Sequence, residues 1–534
     1  MELGRILKGS RVAEIDRKCI ASGIDSRWLM ANAGTRVADF VLRQGSRVKG
    51  IVVCGSGNNG GDGFVAAKKL LDCGMDVHVF YISPPERFTS DSKYYFERLK
   101  ESYPQKLSYL DTGNIDSRNI LSSKLLESDF VIDAILGTGL HGKEVHGASR
   151  EAIQLINLAR ETVAREKNRN LIIYSVDIPS GIDSDDGMVL GVSIKADFTI
   201  TFGCKKFGLV NFPGAYYAGK VEVVDIGIPR HYYTEYEQIF EPDLEWVASK
   251  IPYRMPWTYK HRVGKLLVIA GSIGFTGAAT MTCLAAMRAG AGIVTLVCSR
   301  GLNSIFEEKL TEVMTYPVGD VEDVFIHAKN IDEIAKHSES FDALAVGPGL
   351  SRNPDTLRFV KQLLRRITKP VVLDADGLCV LPDLREDIES SRLNLSNVII
   401  TPHAGELARI LERDSIKLEE RLDANLEAVE KYRLISVLKG ARTLISGPDG
   451  TTFVNPTGDW ALATAGTGDI LTGIIGSLLC QGMSPLDASV CGAFIHGFAS
   501  DVMTKETSKT ALIATDLLEG IKKVFLEIEK MKYE

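Results

Sequence analysis

The sequence predicts an α/β protein of two domains, and three observations support this fold class. Apolar runs rich in Val and Ile recur along the chain, and most are continuous, without alternating polar residues. Continuous runs are typical of strands buried on both faces of a parallel sheet. Each run is followed by a Gly-rich turn and a helical pattern, which indicates repeated βα units. At 534 residues, the chain is also too long for one compact core.

The first half contains the strands of a Rossmann-like, doubly wound parallel sheet. The apolar runs alternate with helical patterns, as this architecture requires. The predicted strands are Val48–Cys54, Val77–Ile82, Phe130–Ile135, Leu171–Val176, Phe198–Phe202 and Val221–Asp225.

A change of composition marks the domain boundary. Residues 228–262 are aromatic and charged and contain four prolines, which is typical of a linker. We therefore expect domains at residues 1–238 and 239–534. The α/β rhythm restarts at Lys265–Ala270 and ends in a helix near Leu517–Lys530.

Composition argues against several classes of partner. The net charge of -7 gives no basic face for nucleic acid. No run reaches the roughly 18 apolar residues of a membrane span, and the N-terminus lacks a secretory signal. The nine scattered cysteines suggest reduced thiols. We expect a cytoplasmic protein that binds neither nucleic acid nor membrane, with Lys205-Lys206 and Lys522-Lys523 on the solvated surface.

The first Gly-rich loop, residues 55–63, lies between a predicted strand and the predicted helix Phe64–Leu71. Gly55, Gly57 and Gly60 form a G-x-G-x-x-G pattern, whose bare N–H groups can hold a phosphate. A dinucleotide site also needs an acidic residue at the end of the next strand, but here Ser83-Pro84-Pro85 follows that strand. An ordinary dehydrogenase is therefore disfavoured, and a tight turn without a ligand remains the alternative.

Two acidic residues accompany later strands of this half. Asp133 lies inside an apolar run, and Asp177 follows another. A buried charge is costly without a partner, so each carboxylate needs a cation, a backbone N–H or a ligand. Because carboxyl-end loops of parallel strands meet at one sheet edge, we expect these residues to lie near the first loop. A carboxylate that only caps its loop is the alternative for each.

Together, GSGNNGGDG, DAILGTGLHGK and VDIPSG resemble the epimerase domain of NAD(P)H-hydrate repair enzymes, over roughly residues 10–230. The resemblance implies that Asp177 is the acid–base group and contacts the substrate. It implies a potassium ion bound by Asn59, Asp133 and Ser180, whose oxygens suit a hard cation. The other implied substrate contacts are Asn58, Asn59, Gly60, Gly61, Asp62, Gly137, Thr138, Gly139, Leu140, His141, Gly142 and Lys143.

The most informative segment of the second half is residues 463–469, which leads into a predicted helix Ile470–Leu479. Its glycines expose N–H groups at a helix N-terminus, where a transferring phosphoryl group can bind. Asp469 lies beside them and could accept a proton from an attacking hydroxyl. Residues 439–443 follow another strand, and their Gly and cationic side chains suit nucleotide phosphates. A purely structural N-cap is the alternative for Asp469.

This segment resembles the ribokinase superfamily, which implies a ribokinase-like α/β domain. With VIAGS, VGPGL, LDADGL, TPHAGE and LKGART, it is similar to the NAD(P)H-hydrate dehydratase branch, over about residues 255–520. The resemblance implies substrate contacts at Gly349, His403 and Asp469, although a lone His403 would more often be a satisfied loop residue. The implied nucleotide contacts are Lys439, Gly440, Ala441, Arg442, Thr443, Asp459, Trp460, Ala461, Leu462, Ala463, Thr464, Ala465, Gly466, Thr467 and Gly468.

The two resemblances imply one pathway of repair. The first domain would interconvert the R and S hydrates of NADH and NADPH (NADHX and NADPHX). The second would dehydrate the S form with ADP as phosphoryl donor, with Mg²⁺, releasing AMP and phosphate. A homo-oligomer is expected. The alternative is an ATP-dependent small-molecule kinase of the vitamin type with an N-terminal nucleotide-binding regulatory module.

Overall fold

The computed structural model describes residues 4–45, 48–140, 142–236 and 238–533. Within them the chain forms two compact units, Gly4–Gln238 and a second unit that begins at Ile239. Both are α/β units, as the sequence predicts.

The first unit is built around a parallel sheet. Its strands are β1 (Gly4–Leu7), β2 (Lys49–Cys54), β3 (Asp76–Tyr81), β4 (Leu107–Tyr109), β5 (Phe130–Ala134), β6 (Ile172–Val176), β7 (Phe198–Phe202), β8 (Lys205–Lys206) and β9 (Lys220–Val224). Its α-helices are α1 (Gly9–Ala21), α2 (Ser26–Arg43), α3 (Asn58–Asp72), α4 (Ser90–Ser102), α5 (Ile115–Glu127), α6 (Gly147–Lys167), α7 (Phe207–Val210) and α8 (Gly214–Ala218). Short 3₁₀ helices lie at Pro85–Arg87, Pro104–Lys106 and Arg230–Tyr233.

The main sheet of this unit has the order β4-β3-β2-β5-β6-β7-β9, and all of its neighbouring strands are parallel. Helices cover both faces, so successive residues of a strand enter different cores. Val52 of β2 belongs to one apolar cluster and Val53 to the other. This confirms the predicted doubly wound sheet. A separate short parallel pair joins β1 to β8, with Leu7 opposite Lys206.

Helix α3 begins six residues earlier than the predicted Phe64, at Asn58. Glycines permit this early start because the first turn lies directly on the strand ends. A Cβ on Gly60 would lie 2.1 Å from the Gly55 carbonyl oxygen, and one on Gly61 would lie 2.4 Å from Met30 Sδ. Six of the nine residues of the expected loop therefore belong to the start of a helix.

The second unit contains a larger sheet. Its strands are β10 (Ile239–Glu241), β11 (Lys265–Ile269), β12 (Ile293–Ser299), β13 (Met314–Val318), β14 (Ala343–Val346), β15 (Val371–Leu373), β16 (Val398–Ile400), β17 (Ile435–Leu438), β18 (Leu444–Ser446) and β19 (Thr452–Val454). Its α-helices are α9 (Leu244–Lys250), α10 (Lys260–Val263), α11 (Thr276–Arg288), α12 (Asn303–Lys309), α13 (Ile331–Ser338), α14 (Pro354–Arg366), α15 (Arg385–Glu389), α16 (Ala404–Ile410), α17 (Arg421–Tyr432), α18 (Thr467–Cys480), α19 (Pro485–Met503) and α20 (Leu517–Tyr533). Its 3₁₀ helices are Arg300–Leu302, Ala328–Asn330, Ala375–Val380, Pro382–Leu384, Trp460–Leu462 and Ala514–Asp516.

Within this unit the strand order is β13-β12-β11-β14-β15-β16-β17-β18-β19-β10. The strands from β13 to β17 are parallel, and β18 is antiparallel to both of its neighbours. Leu266 and Leu267 of β11 point into different apolar clusters, so helices again cover both faces. No helix among the described residues is long and apolar enough to cross a membrane.

The stretch 228–262, expected to be a linker, is largely structured. Its strand β10 pairs with β19, with Ile239 opposite Thr452. Helix α9 follows directly, and its first turn is capped by the Asp243 side chain. Trp246 of α9 packs 5.4 Å from Phe453, ring centre to ring centre. The expectation of a linker was wrong because prolines and aromatic residues here begin a strand and helix that complete the second sheet.

Candidate active sites

A cavity of about 640 Å³ lies at the carboxyl ends of the strands in the first unit. Many predicted contacts line it, namely Asn58, Asn59, Asp62, Gly137, Thr138, Gly139, Leu140 and Asp177. Gly60 and Gly61 lie beneath it in the packed first turn of α3. The Gly142 N–H donates to Asp183 Oδ2 at 2.9 Å. Lys143 is not among the lining residues, and His141 lies outside the described part of the chain.

Asp177 is held at the cavity by a buried lysine. It follows β6 directly and has a φ of 64°, a left-handed conformation that turns the chain sharply at the strand end. Its Oδ1 accepts from Lys206 Nζ, from the Thr201 hydroxyl at 3.1 Å and from the Phe202 N–H at 3.2 Å. These three donors fix the orientation of the carboxylate.

Lys206 corrects an expectation, because Lys205-Lys206 was predicted to be solvated surface. The Lys206 side chain is fully buried, with 0% exposure. Besides Asp177, its Nζ donates to Thr201 Oγ1 at 3.0 Å and to the Phe202 carbonyl at 3.1 Å. Burial of an ammonium group is tolerated because three acceptors surround it. The pair of short strands β1 and β8 places it there, and neither strand has a visible periodicity.

Two further carboxyl groups share this cavity. Burial raises the pKa of Asp62 well above its usual value, and the negative charges of Asp177 and Asp16 raise it further, against the attraction of Lys206. Burial also raises the pKa of Asp16 to about 6, with Lys206 opposing and Asp177 reinforcing the shift. Asp16, on α1, was missed by the sequence analysis because it sits in an ordinary amphipathic helical pattern.

The three predicted potassium ligands are brought together. Asp133 is fully buried and accepts from the Ser180 hydroxyl at 2.5 Å and the Ser175 hydroxyl at 2.8 Å. Burial raises the pKa of Asp133, while these hydrogen bonds favour its ionised form. Asn59 donates from Nδ2 to the Leu136 carbonyl at 2.9 Å, and the Leu136 N–H donates to Ser180 Oγ at 2.9 Å. Carboxylate, hydroxyl and carbonyl oxygens converge here, a donor set that fits a hard cation.

In the second unit, Asp469 lies in the first turn of α18. The helix begins after Gly466, whose φ of 91° favours glycine, and a Cβ there would lie 2.6 Å from Met281 Cε. Burial raises the pKa of Asp469 to about 7; the charge of Asp374 adds to the shift and that of Lys439 opposes it. A carboxyl group with this pKa can exchange protons near neutral pH.

A buried ion pair supports this site. Asp374, directly after β15, accepts from Lys439 Nζ at 2.9 Å and from the Thr472 hydroxyl of α18 at 2.7 Å. Glu406 Oε2 is 3.8 Å from the same Nζ. Burial alone would lower the pKa of Lys439, but the charges of Asp374, Glu406 and Asp469 outweigh it, so the pKa is raised. The ammonium therefore stays charged beside the N-terminus of α18, where a Cβ on Gly468 would lie 3.4 Å from it.

The loop 439–443, predicted to contact nucleotide, is organised from behind by Arg421. This buried guanidinium donates to the Ala441 carbonyl at 2.7 Å and to the Arg442 carbonyl at 3.4 Å. The Thr443 hydroxyl closes the loop on the Gly440 carbonyl at 3.2 Å. Arg442 Nη1 lies 3.5 Å from Glu241 Oε1, so its guanidinium already has an acidic neighbour. Arg421 was missed because nothing near it in sequence marks a site.

Other predicted contacts of this half have visible structural roles. His403 caps α16, where its Nδ1 accepts from the Gly405 N–H at 3.0 Å and the Glu406 N–H at 3.3 Å. Its side chain stays 60% exposed, so Nε2 remains accessible. The Gly349 carbonyl accepts from the Ser272 hydroxyl at 2.8 Å. This Gly has a φ of 62°, and a Cβ there would lie 2.7 Å from Phe275 Cβ.

The segment 459–468 folds back on itself before α18. Asp459 accepts from the Ala461 N–H at 2.9 Å and pairs with Lys509. Ala461 packs into the core, while the Trp460 side chain is exposed. The Thr467 hydroxyl bonds the Leu462 and Thr464 carbonyls at 3.1 Å each. The Ala463 N–H donates to the Trp460 carbonyl at 3.0 Å. Ala465, Gly466 and Gly468 lie at the start of α18, where a helix has N–H groups without intrahelical partners, as an anion-binding turn requires.

The fold and these sites define an α/β protein with a carboxylate-bearing cavity in one unit and a glycine-lined helix N-terminus in the other. Family models match both. Residues 26–208 match the model described as YjeF-related protein N-terminus, and residues 266–523 match NAD(P)H-hydrate dehydratase. The chain belongs to the family of bifunctional NAD(P)H-hydrate repair enzymes.

Curated relatives extend over the full chain. The bifunctional NAD(P)H-hydrate repair enzyme Nnr of Moorella thermoacetica is 37% identical, over 98% of this chain and 97% of that relative. The enzyme of the same name from Thermofilum pendens is 34% identical, over 97% and 96%. Among solved structures, the ADP/ATP-dependent NAD(P)H-hydrate dehydratase of Bacillus subtilis, co-crystallised with ATP/Mg²⁺, is 29% identical. It covers 54% of this chain and 97% of its own, with a TM-score of 0.46. The full-length relatives do not favour the alternative of a vitamin-type kinase with a regulatory module.

Proposed function

We propose that this chain repairs hydrated NADH and NADPH in two reactions, each carried out by one domain. Domain 1–238 interconverts the R and S hydrates at C6 of the nicotinamide ring. Domain 239–534 returns the S hydrate to NADH or NADPH by a nucleotide-dependent dehydration. The observation that carries the proposal is Asp469, a carboxyl group with a pKa of about 7 in the glycine-lined first turn of α18.

In the epimerase domain, Asp177 is assigned as an acid–base group. Lys206 keeps one of its oxygens engaged, and the other is available to a substrate in the cavity. The residues that would hold potassium are Asn59, which lines the cavity, and Asp133 and Ser180, which are buried and hydrogen-bonded to each other. When bound, the cation would supply positive charge beside the substrate phosphates. Asn58, Asp62 and residues 137–140 line the same cavity and would contact the hydrated nicotinamide nucleotide.

In the dehydratase domain, the difficulty is the leaving group, because hydroxide departs poorly from C6. Transfer of a phosphoryl group to the C6 oxygen makes it a good leaving group, and the ring nitrogen lone pair then expels phosphate. Asp469 accepts the hydroxyl proton during the transfer, a role usually worth about 10² to 10⁴ in rate. The backbone N–H groups around Gly466 and Gly468 stabilise charge on the phosphoryl group, typically by about 10² to 10³.

Residues 439–443 and 459–468 bind the nucleotide. The assigned phosphoryl donor is ADP. Lys439, charged at the helix start, attracts the phosphates. Arg421 donates a hydrogen bond to the Ala441 carbonyl in the loop 439–443, so this loop presents a fixed backbone to the nucleotide. Mg²⁺, bound with the phosphates, would neutralise part of their charge. Gly349 and His403 would face the substrate.

The test supplies full-length protein with a mixture of both hydrate epimers, with and without nucleotide, and resolves products by chromatography. Without nucleotide, the epimers should equilibrate and no NADH should form. With ADP, both epimers should be consumed to NADH. Residues 1–238 expressed alone should retain the first activity. A stable phosphorylated product would refute the dehydratase assignment, and folded protein that leaves the epimers unchanged would refute the epimerase assignment.

A further inference from the structure

Helix α1 brings a carboxyl group to the epimerase cavity from outside the segment that matches the family model. That match begins at residue 26, whereas α1 spans Gly9–Ala21. Ala13, Asp16, Arg17 and Ile20 all line the cavity. Their spacing of three and four residues places them on one helical face. Val12, Ile15 and Cys19, on the adjacent face, are buried in the core.

The N-terminus of α1 is held directly against the catalytic side of the unit. A Cβ on Gly9 would lie 2.0 Å from Ser184 Oγ, so only glycine permits this approach. The Ser10 N–H donates to Asp185 Oδ1 at 2.8 Å. Ser184 and Asp185 follow Ser180 closely in sequence. Their contacts fix the position of α1, and this position brings Asp16 to the cavity.

Charge in this cavity is unbalanced. Three of the carboxyl groups that line it, those of Asp16, Asp62 and Asp177, lie near one fully buried ammonium group, that of Lys206. Of the other charged lining residues, Asp91 pairs with Arg27 and Arg17 is exposed. Lys206 donates directly to Asp177, so its charge is matched there. A second or third carboxylate in the same enclosed space would carry unpaired negative charge, which is costly. The nearby negative charge therefore adds to burial in raising the pKa values of Asp16 and Asp62.

We propose that Asp16 is a second catalytic residue of the epimerase, the proton donor that works opposite the base Asp177. This inference rests on the epimerase function proposed above.

The step balances with these two groups alone. Asp177 takes the proton of the C6 hydroxyl, and the O–H electron pair forms the C6=O bond. The C6–N1 bond breaks, its electron pair moves to N1, and Asp16 gives its proton to N1. The open-chain aldehyde rotates about its C5–C6 bond and presents the other face. Reclosure reverses both proton transfers, so each carboxyl group returns to its starting state with no added reactant.

Asp16 suits this role better than Asp62. Proton exchange is most efficient when the pKa lies near the working pH. Burial raises the pKa of Asp16 to about 6, and it raises that of Asp62 well above its usual value. The Asp16 side chain is also partly exposed, whereas Asp62 is buried. The titratable groups facing Asp16 are Cys19 on its own helix, Asp62 on α3, Asp177 after β6, Cys204 after β7, Lys206 on β8 and Tyr233.

The test compares Asp16→Asn with Glu14→Gln in the full-length chain, by the rate of epimer interconversion. Glu14 lies on the same helix, in surface ion pairs with Arg11 and Lys18. Asp16→Asn should lower kcat by about 10²-fold or more, the usual contribution of an acid–base group, with little change in KM. Glu14→Gln should stay within about twofold of wild type, as surface substitutions usually do. Dehydration of the purified S epimer, measured in the same preparations, reports on the second domain and should not change, and the circular dichroism spectrum should match that of the wild type.

Two readouts separate proton donation from a structural role. Wild-type kcat/KM should fall as pH rises through about 6, where Asp16 loses its proton, and Asp16→Asn should lack this fall. Formate should restore part of the activity of Asp16→Ala. The inference is overturned if Asp16→Asn keeps more than about a third of the activity or if its pH profile is unchanged. Wild-type protein without any epimerisation would instead overturn the proposed function.

Discussion

Lys439 Nζ lies 2.9 Å from Asp374 Oδ1, and this pair borders Asp469 from behind the first turn of α18. The two partners act on Asp469 in opposite directions. The carboxylate of Asp374 raises the pKa of Asp469, whereas the ammonium of Lys439 lowers it. Burial is the largest cause of the raised pKa of Asp469, and the two charges of the ion pair adjust it in opposite directions.

Substitution of Asp469 tests its role as the base. Asp469→Asn keeps the shape of the side chain but cannot accept the hydroxyl proton, so dehydration should fall by about 10² or more. Epimerisation by the same protein should be unchanged, which makes it an internal control for the amount of protein. Steady-state rates with each purified epimer measure both. A loss of dehydration smaller than about tenfold would mean that another group is the base.

The pH profile of dehydration should report on the Lys439–Asp374 pair. Because Asp469 must be ionised, kcat at saturating substrates should rise with pH, with a midpoint at about 7. Asp374→Asn removes a negative charge and should move the midpoint down. Lys439→Met removes a positive charge and should move it up, and should also raise KM for the nucleotide. Shifts in the same direction for both variants would contradict this account.

Epimerisation should depend on potassium. Asp133→Asn removes the only carboxylate among the three proposed ligands, so the half-saturating potassium concentration should rise by about 10- to 100-fold, as for other changes at metal sites. Asp116→Asn, an exposed change at the start of α5, is the matched control. Rates are compared after dialysis into potassium or tetramethylammonium. Equal rates in the two salts for the wild-type protein would refute the potassium site.

The dehydratase should prefer ADP to ATP. The choice depends on which phosphorus lies in line between Asp469 and the N–H groups around Gly466, because a displacement of about 1 Å can cost roughly 10² in rate. If the adenosine pocket places the β-phosphorus there, the γ-phosphate of ATP enters the space of the substrate. Initial rates with each nucleotide, freed of the other enzymatically, decide the point. A higher kcat/KM with ATP would reverse the donor assignment and leave dehydration standing.

Much of the first sheet could be predicted from the sequence because its strands are buried on both faces. The predicted Val48–Cys54 and Phe130–Ile135 correspond to Lys49–Cys54 and Phe130–Ala134. The first residues of helices were harder to predict from the sequence. Glycines at 60, 61 and 63 favour a loop by their intrinsic propensity. Their close packing on strand ends makes them the first turn of a helix instead.

The groups that set charge in each site could not be found in the same way. Lys206 reads as a surface residue, since nothing local shows that β1 will pair with β8 and enclose it. Asp374 and Arg421 act on residues 65 and 20 positions away, at Lys439 and Ala441. Their partners depend on strand order, which a single sequence does not reveal. The motifs therefore indicated where the sites lie. The charged groups that surround them come from contacts between residues that are distant in sequence.

Strand β10 has a practical consequence for expressing the dehydratase half by itself. The segment that matches the family model begins at residue 266. The strand β10, residues 239–241, precedes that segment and pairs with β19 in the sheet of this half. A fragment started at residue 264 would leave the backbone groups of β19 unpaired and the Phe453 ring without Trp246. Exposed, unpaired strand edges recruit other chains. Aggregation of such a fragment would reflect a misplaced cut, and would say nothing about whether the two halves can work apart.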